Sequence, residues 1–595
     1  MATKFIYGDD SNNQLVGTSG DDYIEGRGGN DVLDGQGGND DLQGGAGSDT
    51  LIGGDGNDHL APDEWEGPHG NDSVSGGNGD DLTGSNGGND TIDGGAGNDS
   101  LSIGYSGSTS NITYTDYDPA TGSGTLTDGA GNSVTYSGIE TVGIYGGSGN
   151  DDLRGGNNRD YLNGGAGNDT LSGGAGNDEL NAGSNTGAPG NDYLDGGDGD
   201  DFFRVSDGGN DTVIGGAGQD SGSFLFTSTT RNITVTAYDP LTNSATLTDG
   251  AGNSLTYSSI ESLSLYGGSG SDDLRGTSGN DRIEGNLGND TLAGGAGDDR
   301  LYGGDGNNVL NGEDGNDNLA GGANNDTLRG GNGDDSLFSY QGNDIVDGGA
   351  GNDKWSSDFY YSTGNFTYTA YDSATGSGTI TDGAGNSVTF SSIESFSLAG
   401  GSGNNDLRGG IGNDDLSGRT GKDTLAGKAG NDNLVGGYGN DVLKGGAGND
   451  TLNGANYRST TAGEIDSLTG GTGSDYFSLG GFSQDVGRAL HAYNDGNNST
   501  SGLDSYALIT DFNPLEDKIG LAAAAYSSTT SASQFVLGSS PISGVLGTGI
   551  YLNTDGKAGV GSTDELLAVV KDASNLSLTA NYFVYAVDAP TVIGG

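Results

Sequence analysis

The chain has 595 residues, 30% of them apolar and 124 of them Gly, and it carries a formal net charge of −63. So low an apolar share, against the usual ~45–50%, argues against one large packed core. So acidic a surface excludes nucleic acids and anionic membranes as default partners, because both need basic patches. The lack of Cys excludes disulfides, thiolate metal sites and Cys nucleophiles.

No apolar run approaches the ~18 residues of a membrane span. The opening MATKFIYGDDSNN contains no apolar core of a cleavable secretory signal, which taken alone points to a soluble chain kept inside the cell. Of the 84 acidic residues, 72 are Asp. Asp is the short carboxylate that reaches a cation from a tight turn, so the acidity reads as a ligand set.

The first predicted element, residues 1–102, is an array of nine-residue units with the consensus G-G-x-G-x-D-x-U-x, where U is a large aliphatic residue. Gly at positions 1, 2 and 4 answers a need for positive φ and close backbone approach. Asp at position 6 supplies a carboxylate: Asp22, Asp31, Asp40, Asp49, Asp58, Asp72, Asp81, Asp90 and Asp99. Positions 7 to 9 predict a three-residue strand whose middle residue points inward. Two units complete one coil, and coils stack at the ~4.8 Å strand spacing. The spacing slips at Pro62–Glu66, which predicts a loop bulging from one face.

Residues 103–145 change character, with NITYTDYDPATGSGTLTDGAGNSVTYSGIE beginning at Asn111. Ile112, Tyr114 and Asp116 alternate with Thr113 and Thr115, and Asp128 to Asn132 reads as a turn, so a small antiparallel hairpin module is expected. Near-copies begin at Asn232 and Asn365, and all three asparagines open N-x-T sequons. Such a module serves either as a cap over the exposed edges of a solenoid end or, through its Tyr and Phe residues, as a contact between neighbouring molecules.

A second array spans 146–223, with Asp151, Asp160, Asp169, Asp178, Asp192, Asp201, Asp211 and Asp220, and slips at Ser184–Pro189. The second hairpin module is 224–266. The third array, 267–356, is unbroken: Asp272, Asp281, Asp290, Asp299, Asp317, Asp326, Asp335, Asp344 and Asp353, with Asn308 in one Asp position and Leu292, Leu301 and Leu310 pointing inward. The third module is 357–399. A fourth array, 400–480, opens on Asn405 and continues with Asp414, Asp423, Asp432, Asp441, Asp450, Asp466 and Asp475. Residues 481–595 read as a β-rich cap containing YALITDFNPLEDKIGL, ELLAVVK and NYFVYAV. There Asp511 and Asp517 either hold a further cation or brace the cap.

The nonapeptide resembles the RTX (repeats-in-toxin) haemolysin-type calcium-binding repeat, over a little more than half of the chain. The resemblance implies an all-β fold: calcium-bound parallel β-roll arrays interrupted by three small antiparallel modules, with a β-rich C-terminal cap. It implies that the position-6 aspartates and turn carbonyls hold Ca²⁺, a hard ion suited to an oxygen-only shell, with roughly 25 ions in all. Ions would be shared by turns one coil apart, and the turns of Asn308 and Asn405 would be weak or empty. Without metal the carboxylates repel, so the apo chain is expected to be largely unfolded.

The family also implies type I secretion, an export signal within 481–595 and an extracellular or cell-surface location. The terminal segment resembles that of cyanobacterial RTX proteins, and the nearly all-repeat organisation resembles oscillin-type surface proteins of gliding cyanobacteria. The implied function is a structural component of a surface layer or fibril array, linked to gliding, with self-association and surface polysaccharide as partners. The alternative is a monomeric secreted adhesin or calcium-binding module.

No enzyme is expected. His59, His69 and His491 lie in no H-E-x-x-H motif, and Lys422, Lys428 and Lys557 follow Gly without a Ser or Thr after them, so neither a zinc protease nor a P-loop is present. Position 3 is mostly Ala (Ala46, Ala96, Ala166, Ala296, Ala447) rather than the ranked Thr that ice binding requires.

Overall fold

The computed structural model describes residues 4–63, 69–183, 190–206, 208–360, 362–383, 385–455, 464–483, 488–491, 505–521, 534–553, 559–561 and 564–585, with 480–483 and 488–491 as backbone alone. Residues 64–68 and 184–189, where the sequence predicts loops, and the terminal residues 586–595 lie outside these. The chain divides into two compact units, Met1–Arg300 and Leu301–Gly595. Among the described residues it is all-β, without an α-helix; a short helical turn covers Pro119–Thr121.

The repeat produces strands directly. Tyr161–Asn163 is the expected three-residue strand. Elsewhere the next unit's Gly-Gly-x prolongs it to six, as in Thr170–Ala175. Each strand pairs in parallel with the strand one coil on, so Tyr23 faces Asp41 and Val32 faces Thr50. The glycines answer two demands. Gly165 (φ 98°) and Gly167 (φ 120°) take left-handed turn conformations. A Cβ on them would stand 2.2 Å from the Gly147 carbonyl oxygen and 1.8 Å from that of Gly149, so a side chain would push the coils apart. Inward residues form a continuous column: Leu162, Leu171, Leu180 and Leu194 are all fully buried.

In the first unit one face is a single parallel ladder. It runs from Phe5–Tyr7 through Ser100–Gly104, Thr141–Tyr145, Tyr161–Asn163, Ser221–Leu225 and Ser262–Tyr266 to Arg282–Glu284. The opposite face is built in pieces. After Asn89–Ala96 comes Ser133–Ser137 in parallel, then Ser123–Thr127 and Thr113–Asp118 antiparallel, where that sheet stops. A new sheet starts at Asp152–Arg154 and ends the same way at Thr234–Asp239.

The second unit repeats the arrangement. Its continuous ladder runs from Asn318–Ala320 through Ser395–Ala399 to Phe583–Tyr585. On the other face a sheet ends at Thr367–Asp372, and the last one continues through Tyr506–Ile509 and Glu565–Lys571 to the antiparallel Gly547–Leu552 and Phe535–Ser539.

The hairpins therefore do not close the arrays as terminal caps would. Each ends the sheet on one face while the other face runs past it. The reason lies in SVTYS and TVGIY, whose inward Val134, Tyr136, Val142 and Ile144 are spaced to continue the core column. The Tyr117 and Tyr371 hydroxyls donate to the Gly155 and Gly409 carbonyls and tie two of the hairpins to the coil that follows.

The insertions leave the pairing intact. Thr50 pairs with Ser73 across the first slip, and Val442 pairs with Ser467 across residues 456–463.

Below the third hairpin the core is aromatic. Trp355 is fully buried, stacks on Phe390 with centroids 5.1 Å apart and donates its indole N–H to Ser339 Oγ at 3.0 Å. Trp355→Ala is expected to cost ~3–5 kcal/mol, read as a lower midpoint of denaturant unfolding followed by circular dichroism in calcium.

Candidate metal centre

All of the repeat aspartates named above are buried, none more than 9% exposed. Each is held by the backbone. The amide N–H at position 6 of one coil donates to Oδ1 at position 6 of the next: Asp22 to Asp40 at 2.7 Å, Asp40 to Asp58 at 2.8 Å, Asp160 to Asp178 at 2.8 Å and Asp335 to Asp353 at 2.9 Å. One oxygen of each carboxylate is thus committed to stacking the coils.

The second oxygen is turned inward under the glycine at position 1. A Cβ on Gly35 would lie 2.3 Å from Asp40 Oδ2 and 2.7 Å from the Gly53 carbonyl oxygen, so position 1 is Gly for room and not for its φ. In Asp40, Asp178, Asp201, Asp335 and Asp432 this buried Oδ2 has no hydrogen-bond partner. A buried carboxylate oxygen without a donor is costly, and it faces a carbonyl oxygen, which cannot donate. The group that fits such a set is a hard divalent cation accepting carboxylate and carbonyl oxygens together.

The asparagines support the same fit. Asn308 Nδ2 donates to the Gly321 carbonyl and Asn405 Nδ2 to that of Gly418, both at 3.1 Å. There the side chain's own amide occupies the place of the free oxygen and satisfies the carbonyl.

The consensus does not distinguish the coil that follows each hairpin. In Asp151, Asp272 and Asp414 the second oxygen accepts the N–H of Gly147, Gly268 and Gly410 at 3.0, 3.0 and 2.8 Å. Asp517 continues the ladder, taking the Asp475 N–H at 3.0 Å on one oxygen and the Asn513 N–H at 2.7 Å on the other. The Asp511 carboxylate accepts from Gly470 and Gly471, so both cap aspartates are bonded to the backbone through both oxygens.

Two further sets of residues complete the ladder. Where it meets a hairpin, a glutamate replaces the aspartate: Asp99, Asp220 and Asp353 donate to Oε2 of Glu140, Glu261 and Glu394, each at 2.8 Å. The signal was the Ile-Glu pair in each of the three copies. Position 5 carries a second ladder running the other way, in which the Asn168 N–H donates to Asn150 Oδ1 at 2.8 Å and the Asn150 N–H to Asn111 Oδ1 at 2.9 Å. The sequon residues Asn232 and Asn365 accept likewise from Ser271 and Asn404.

Burial raises the carboxyls: Asp178, Asp414 and Asp441 to about 8, Asp72 and Asp169 to about 7, Asp49 and Asp58 to about 6. These values exceed the ~3.9 of a free Asp. The metal-free fold therefore gains from protonation at low pH and loses that stabilisation as pH rises through 6 to 8.

With chelator, the protein is expected to show little β-sheet circular dichroism at pH 8 and to gain it on acidification to about pH 5; a signal independent of pH would refute the assignment. In calcium at ten times Kd, Asp178→Asn should cost on the order of 1.4 kcal/mol, one lost site, and Asp151→Asn distinctly less. Equal shifts of the two calcium midpoints would contradict the distinction drawn between them.

The chain matches the model of the RTX calcium-binding nonapeptide repeat over residues 7–42, 34–63, 69–83, 85–102, 144–184, 186–208, 266–301, 284–319, 294–328, 320–354, 397–425 and 426–456, a little more than half of its length. Compared with the curated proteins it has no significant match. Among solved structures it is similar to the AlgE6R3 subunit of the Azotobacter vinelandii mannuronan C5-epimerase, at 20% identity over 32% of this chain and 84% of that one, with a TM-score of 0.17. It is also similar to the extracellular lipase LipA from Serratia marcescens, at 21% identity over 43% of this chain and 38% of the lipase, with a TM-score of 0.12. The nonapeptide match and the stacked aspartate turns lead to one conclusion: the chain belongs to the RTX calcium-binding repeat family.

Proposed function

We propose that the chain is a secreted structural protein whose repeats fold on calcium outside the cell and assemble into a surface layer or fibril array. The observation that carries this is the run of buried aspartates with one oxygen bonded to the backbone and the other lacking a donor. In this reading the position-6 aspartates are the calcium ligands, roughly 25 ions are bound, and each adds about 1.4 kcal/mol when calcium is ten times Kd. With affinities of ~10⁻⁴–10⁻³ M the same sites contribute almost nothing at cytosolic calcium. Export of an unfolded chain by the type I route follows naturally, as does folding on release.

Self-association is supported by apolar side chains left in solvent on the hairpin segments. Leu241 is 93% and Tyr360 63% exposed. Bound calcium would also leave the surface anionic enough for further ions to bridge neighbouring chains. A part in gliding and binding to surface polysaccharide belong to the same proposal, and it assigns no catalytic turnover.

Negative-stain electron microscopy of the refolded protein, with calcium and with chelator, tests it. Ordered fibres or sheets that vanish with chelator are expected. Single dispersed particles in calcium would favour an adhesin or calcium-binding module instead. Compact particles in chelator would overturn the coupling of folding to calcium.

A further inference from the structure

The repeat supplies two of the three carboxylates that meet near residue 72. Asp72 and Asp90 are position-6 residues one coil apart, and the Asp72 N–H donates to Asp90 Oδ1 at 2.9 Å. The third, Asp63, stands outside the nonapeptide pattern at the start of the first slip, yet its side chain is only 1% exposed. Ligand oxygens of Asp63, Asp72 and Asp90 lie within 4.8 Å of one another. Asp63 Oδ1 is fixed by the Gly70 N–H at 3.1 Å, and Asp72 Oδ1 by the Asp49 N–H at 2.7 Å. The Oδ2 atoms of both are buried without a hydrogen-bond partner. Asp90 Oδ2 accepts the Ser85 hydroxyl at 2.5 Å.

His69 adds what no repeat turn contains, a ring nitrogen. Its Nδ1 lies 3.5 Å from Asp63 Oδ2. That is too long for a good N–H···O bond. It is close to the ~3.4 Å edge of a tetrahedron of ligands ~2.1 Å from a first-row metal. The ring is about one-third exposed, so an ion can reach it from solvent. Ca²⁺ is served by oxygen alone, whereas an imidazole beside carboxylates shifts preference toward Zn²⁺ and its neighbours.

We propose that Asp63, Asp72, Asp90 and His69 form a site for one first-row divalent metal ion of the Zn²⁺ class, distinct in chemistry from the calcium turns around it.

The test uses the full chain folded in calcium well above the ~10⁻³ M range of such sites. Zn²⁺ retention is measured by equilibrium dialysis, and Co²⁺ serves as the spectroscopic probe. One Zn²⁺ per chain is expected to be held against the calcium excess, and Co²⁺ to give visible d–d bands of mixed nitrogen and oxygen ligation. His69→Gln and Asp63→Asn should each weaken retention by ~10-fold or more and abolish the Co²⁺ bands. His69→Gln should leave the calcium midpoint of folding unmoved. Equal Zn²⁺ retention by wild type and both variants would place the ion elsewhere and overturn the proposal. So would failure of Zn²⁺ to bind against calcium, which would make Asp63 one more calcium ligand.

Discussion

Everything in this protein depends on a carboxylate with two different tasks. One oxygen of each repeat aspartate takes the amide of the preceding coil, and in most of them, away from the coils that follow the hairpins, the other is buried where protein donors are missing. The first task makes the coils stack; the second makes stacking expensive unless a cation or a proton is present. Hydrophobic burial offers little compensation, since most units contribute a single inward apolar residue to the column.

Around this constraint the remaining residues fall into place. Glycine at position 1 leaves room for the second oxygen, while glycine at positions 2 and 4 takes the left-handed turn and lets neighbouring turns touch. The position-5 asparagines send a second line of hydrogen bonds in the opposite direction, so each turn is gripped from both sides. Glu140, Glu261 and Glu394 reach from the hairpin coils to accept the amide of the coil before, and the amides of Val142, Leu263 and Phe396 carry the ladder on to Asp160, Asp281 and Asp414.

Much of this was legible in the amino-acid order because the nonapeptide fixes residue type by phase: strand, turn, inward Leu and buried Asp each recur every nine residues. What was not legible depends on partners far away in the chain. Glu140 acquires its role only by meeting an amide 41 residues earlier, and Asn150 by meeting one 18 residues later. Asp151 and Asp178 have the same local sequence signature. They differ because Gly147, beside a hairpin, turns its N–H toward the carboxylate. The hairpins read as separate modules because their period changes, yet their last two strands keep the inward spacing of the solenoid.

Within each compact unit the two faces of the coil are not equivalent, since a hairpin ends the sheet on one of them while the ladder on the other passes it by. A single nonapeptide is half a coil. Removing one would carry the next hairpin to the opposite side and sever the continuous ladder. The count of repeats between hairpins must then be even. It is eight from Asp151 to Asp220, the array between the two hairpins of the first unit. The spacing of successive hairpins differs by one 18-residue coil less the residues inserted in loops. Parity thus sets the grain of such a chain: it can lengthen or shorten by whole coils, although its visible repeat is half as long.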